Sequence, residues 1–63
     1  MANIIRTETF THNEWTYIVE MDAAFVVTVF IRDRFDNNEV VDRDWADAAT
    51  ADGVFKRMVF FYR

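Results

Sequence analysis

Residues 47–63 read DAATADGVFKRMVFFYR, and how this stretch folds decides the class of the whole chain. Ala48, Ala51, Phe55, Met58 and Tyr62 recur at spacings of three and four, which puts them on one stripe of a helix. Asp44 or Asp47 is placed to cap its start, where backbone N–H groups lack partners and the dipole favours negative charge. Lys56, Arg57 and Arg63 lie towards the end that the same dipole prefers. Gly53 is discordant, costing about 1 kcal/mol relative to alanine inside a helix. The competing reading takes Val54–Tyr62 as a fifth strand, since Val59, Phe60, Phe61 and Tyr62 all suit one.

Ahead of this stretch the period is two. Ile4–Phe10 is a candidate strand, followed by a polar turn at Thr11, His12, Asn13 and Glu14. In Trp15–Met21 the residues Trp15, Tyr17, Val19 and Met21 share one face, and Thr16, Ile18 and Glu20 share the other. After Asp22, Ala23 and Ala24, a third strand runs from Phe25 to about Arg34. It sets Phe25, Val27, Val29 and Ile31 against Val26, Thr28, Phe30 and Arg32. Asp36, Asn37 and Asn38 tolerate the left-handed backbone of a tight turn. A fourth strand, Glu39 to about Arg43, has the charges of an edge. The expected fold is α+β: a small antiparallel meander of three to four strands packed against one C-terminal α-helix.

The chain has 63 residues, enough for one domain covering 1–63. A domain this small is marginal in stability unless its core is dense. Here 52% of residues are hydrophobic and 17% aromatic, so a core needs neither disulfide nor metal. Cysteine is absent, which removes thiolate chemistry and fits a reducing compartment. The longest apolar run, Ala23–Ile31, is too short to cross a bilayer as a helix. The amino terminus lacks the charged start and apolar stretch of a secretion signal. A cytoplasmic protein with no membrane contact is the expectation.

The formal charge is −4, which argues against a protein that neutralises phosphates. Direct nucleic-acid binding is therefore not expected, and Trp15, Tyr17 and Phe25 are read as core rather than as a stacking platform. The acids are uneven: Asp33, Asp36, Glu39, Asp42, Asp44, Asp47 and Asp52 crowd into one third of the chain. Such a stripe attracts basic partners, although charge runs are more often solvated loops and helix starts.

Residues that carry chemistry are sparse. His12 is the only histidine and serine is absent, so no nucleophilic triad assembles. Carboxylate pairs need a cleft that raises one pKa, and the acids here sit in predicted turns. The segment Asp42, Arg43, Asp44, Trp45, Ala46, Asp47 fails as a calcium loop, having Asp47 at the glycine position and Gly53 where a bidentate glutamate belongs. A single glycine forbids a glycine-rich phosphate loop. No catalytic residue, metal or cofactor is expected.

One helix covers one face of a small sheet. If it covers Trp15, Tyr17, Val19, Phe25, Val27, Val29 and Ile31, then Ile5, Ile18, Val26 and Phe30 remain on the other, an apolar face suited to self-association. Two functions follow. The first is a non-enzymatic module that occupies a basic site on a larger protein, using Asp33, Asp36, Glu39, Asp42 and Asp44 with Phe35 and Trp45 as aromatic anchors. The second is a structural homodimer built on the uncovered sheet face.

Two resemblances bear on these expectations. Asp47-Ala48-Ala49-Thr50-Ala51 with Val54-Phe55-Lys56 resembles the helix of the immunoglobulin-binding domains of streptococcal protein G. Glu14-Trp15-Thr16-Tyr17 resembles a stretch of that family's third strand. The likeness covers about a quarter of the chain in permuted order; it supports a C-terminal helix and lends no support to antibody binding. In size, acidity and lack of cysteine the chain is also similar to phage and mobile-element accessory proteins, anti-CRISPR proteins among them. That similarity implies an inhibitor that blocks a basic nucleic-acid site.

Overall fold

The computed structural model describes residues 3–63. In chain order it has β1 (Ile4–His12), β2 (Trp15–Asp22), β3 (Val26–Arg32), β4 (Asn38–Trp45) and α1 (Ala51–Tyr62). The strands form one antiparallel sheet of four strands in the order β1-β2-β3-β4, so the sheet is a meander. The helix closes one of its faces. This is the α+β arrangement expected from the change of period.

Val54–Tyr62 is helical, which overturns the fifth-strand reading. A helix brings Ala51, Phe55, Met58 and Val59 to the same buried side. A strand would send Met58 to the face opposite Phe55 and Val59, splitting that apolar set. Ala48, expected on the stripe, instead lies exposed in the turn before the helix. Asp47 holds that turn: its carboxylate accepts from the N–H of Ala49 at 3.0 Å and of Thr50 at 2.9 Å, and from the Thr50 hydroxyl at 3.0 Å. The N-cap position itself is Thr50, which makes no side-chain cap bond, so neither Asp47 nor Asp44 is the expected helix cap. Asp44 pairs with Arg57 at 2.8 Å across the sheet–helix boundary.

The core lies between α1 and the two central strands. Val19, Val27, Val29 and Phe55 are fully buried, with Met21, Ala51, Met58 and Val59 around them. Burying a side chain such as these contributes about 1.5–3 kcal/mol. Phe10 stacks on Tyr17 with centroids 5.5 Å apart, and Tyr17 meets Tyr62 at 5.7 Å. Polar ties reach from the helix to both edge strands. On the β1 side Arg6 bonds Asp52 at 2.7 Å while lying 4.1 Å over the Phe55 ring, and Arg63 bonds Glu8 at 3.1 Å. On the β4 side Arg57 bonds Asp44, and the Tyr62 hydroxyl donates to Asp42 at 2.9 Å.

Several boundaries differ from the alternation pattern. β1 runs on to His12, and the turn shrinks to Asn13 and Glu14 with φ of 51° and 69°. Trp15, expected beneath the helix, is half exposed. Tyr62 ends the helix over Tyr17, so the next row of the sheet, His12 and Trp15, is left without cover. Phe25 precedes β3 and takes φ of 65°. That turn is built by Asp22, whose carboxylate accepts from Ala24 N–H at 2.8 Å and Val26 N–H at 3.1 Å. β3 stops at Arg32 rather than about Arg34, because Asp33 starts the next turn, and β4 extends to Trp45. Among the described residues, no helix is long and apolar enough to cross a membrane.

Candidate binding surface

Asp33 organises the loop between β3 and β4. Its carboxylate accepts from Phe35 N–H at 2.8 Å and Asn37 N–H at 3.0 Å, closing a turn that carries Asp36 at φ 62°. The Asn37 N–H, with help from that of Phe35, holds the Asp33 carboxyl below the usual aspartate range. Asp33 is therefore a loop-former. Asp36 and Phe35 stand at the exposed tip it creates, with Phe35 75% exposed.

β4 carries the remaining acids. Asp42 and Asp44 lie opposite Val29 and Val27, and Glu39 lies opposite Ile31, so all three share the helix-covered side of the sheet. Asp42 and Asp44 are half-buried and engaged by Tyr62 and Arg57, whereas Glu39 is exposed. Burial, reinforced by the Asp42 carboxylate, pushes the Tyr62 hydroxyl above its ordinary pKa. Trp45 pairs with Val26 and so belongs to the uncovered side, 69% exposed, away from the carboxylates it was expected to accompany.

The acidic stretch thus divides into structural and displayed groups. Asp33 and Asp47 hold turns. Asp44 and Asp52 sit in ion pairs, Asp52 held low first by the Arg6 guanidinium and then by Lys56. Asp36 and Glu39 are displayed to solvent.

An aromatic that the helical stripe passes over joins this surface. Phe61 is 76% exposed and lines a groove of about 260 Å³ with Asp42, Asp44, Arg57 and Met58. Spacing alone put Phe61 off the buried stripe; only the helix's seat on the sheet brings it beside β4. A shallow cleft of about 640 Å³ lies at the end of the sheet, between Glu14, Trp15 and Thr16 on one side and Arg32–Asp36 on the other. It mixes three carboxylates, two guanidiniums and two rings, a polar and aromatic lining suited to contact.

The expected self-association face is placed as follows. Ile18, Phe30 and Val40 form one row across three strands on the uncovered side, with Thr9 beside Ile18. A polar row of Thr7, Glu20, Thr28 and Arg43 adjoins it, where the Arg43 Nε donates to the Thr28 hydroxyl at 3.2 Å. Ile18 is only 6% exposed, Val26 and Phe30 are half-buried, and Ile5 is an exposed bulge residue at a slip in register. His12 is exposed at the end of β1. Among the described residues, no group of three or more His, Cys, Asp or Glu side chains is placed to hold a metal ion. Comparison with protein-family models, curated proteins and solved structures finds no match for the chain.

Proposed function

We propose that the chain is a non-enzymatic binding module that docks on a basic surface of a larger protein through the β3–β4 loop and the adjoining flank of β4. One observation carries the reading: Phe35 and Phe61, 75% and 76% exposed, stand beside displayed or half-buried carboxylates on that side of the molecule. Large exposed rings are the usual anchors of protein interfaces, and carboxylates around them steer a cationic partner and set its orientation. The net charge of −4 favours the same partner. Occupying a basic nucleic-acid site would make the module an inhibitor, the role that its similarity to phage and mobile-element accessory proteins implies.

The test is affinity capture from the native host with wild type, Phe35→Ala, and the double variant Asp36→Asn with Glu39→Gln, at low and high salt. Binding that weakens in both variants and with added salt is expected. A partner held equally by the neutralised variant and at high salt would remove the basis of the reading.

A further inference from the structure

The two edges of the sheet are unlike. β4 slips register beside Val29 and Phe30, leaving Val41 as an extra residue, and Glu39, Asp42, Arg43 and Asp44 set charge along it. A bulge and charges both hinder the addition of another strand. β1 is paired without interruption from Arg6 to His12 and, among the described residues, has no strand on its outer side.

Which of its backbone groups face outward follows from the hairpin. Asn13 and Glu14 both take positive φ, the mark of a two-residue type I′ turn. In such a turn the His12 carbonyl accepts from the Trp15 N–H. Bonded and non-bonded pairs then alternate along the ladder. Arg6, Glu8, Phe10 and His12 turn their N–H and C=O groups inward to β2, and Thr7, Thr9 and Thr11 turn theirs outward. The side chains of these threonines are exposed as well.

We propose that β1 pairs antiparallel with β1 of a second copy of this chain, about a twofold axis at Thr9, joining the two sheets into one. Thr9 is the midpoint of the straight run Arg6–His12. Thr9 then faces the partner's Thr9, and Thr7 faces the partner's Thr11, each pair exchanging two hydrogen bonds. Moving the axis to Glu8 would set that carboxylate against its own copy, which is unfavourable. Moving it to Thr7 would run the pairing into the slip at Ile5.

Two features beside this edge fit the arrangement. Arg63 lies 5.2 Å over Phe10 while bonding Glu8 at 3.1 Å, so a partner's Glu8 opposite Phe10 comes next to a guanidinium. Phe60, 86% exposed, lines a groove above the edge with Glu8, Lys56, Val59 and Arg63. The paired sheets would put it over the new strand pair. The β4 flank stays open, so this contact and docking there are independent.

Sedimentation velocity on the full chain tests the proposal, using wild type, Thr9→Lys, Thr9→Glu and an equimolar mixture of the two variants. Wild type is expected at twice the 7.5 kDa chain mass as concentration rises. Each variant alone should raise the dissociation constant at least about tenfold, because like charges meet on the axis, and the mixture should restore the dimer. Amide exchange adds a local readout. Thr7, Thr9 and Thr11 should be protected in wild type and lose protection in either variant, while Glu8 and Phe10 stay protected through β2. Wild type that remains at the chain mass at every concentration overturns the proposal. So does a dimer that both variants leave intact, or one that Phe30→Glu disrupts and Thr9→Lys does not.

Discussion

Gly53 sits on the exposed side of α1, and a Cβ built there meets nothing within 4 Å. Glycine at such a position only adds backbone freedom to the unfolded chain. Gly53→Ala should therefore stabilise the fold by about 0.5–1 kcal/mol, read as a higher denaturation midpoint with an unchanged slope. A loss of stability would mean that the helix backbone needs glycine there. Gly53 looks discordant in the sequence and stays so in the structure. Asp42 and Asp44 are different. They look like members of an acidic stripe, yet their partners Tyr62 and Arg57 lie 20 and 13 positions away, beyond any local pattern.

At the level of elements, the β1–β2 hairpin shows where alternation stops being informative. Thr11, His12, Asn13 and Glu14 are all polar, so the whole tetrapeptide reads as turn. In the structure Thr11 and His12 stay in the ladder, opposite Thr16 and Trp15. Strand pairing extends until the chain must reverse, and only Asn13 and Glu14 reverse it. Asparagine accepts the left-handed region readily, whereas glutamate pays about 1 kcal/mol there. Glu14→Gly should raise stability by about that amount in a thermal or urea melt. No gain would argue against a type I′ turn, and with it against outward-facing amides at Thr7, Thr9 and Thr11. The helix shows the opposite case: its apolar stripe was legible because Phe55, Met58 and Tyr62 keep helical spacing whatever they pack against.

For the molecule as a whole, titration links turns, helix and sheet. Asp33, Asp47 and Asp52 all have carboxyls held below the usual aspartate pKa: by the Asn37 amide, by the Thr50 hydroxyl and amide, and by the Arg6 guanidinium respectively. A depressed folded pKa means that unfolding takes up protons in acid. Their stabilisation is present above about pH 4 and is lost as pH falls through the folded values. Tyr62 has the reverse sign, since its raised pKa leaves it protonated when an unfolded tyrosine would ionise. Its contribution is lost as pH rises beyond about 10. Thermal melts across pH should show a plateau between these limits, and Asp52→Asn should flatten part of the acid slope. An acid slope unchanged by Asp52→Asn would count against the tie between β1 and the helix.

The order of elements, the buried face of the helix and the alternation of the central strands were determined by the sequence itself. Each follows from a repeat over neighbouring residues, and burial of an apolar stripe needs no knowledge of the distant chain. Which acids are spent on internal pairs, which aromatics are left in water and which sheet edge is open were decided only by tertiary structure. Those outcomes depend on groups as far apart as Glu8 and Arg63, 55 positions along the chain, meeting when the helix lies across the sheet.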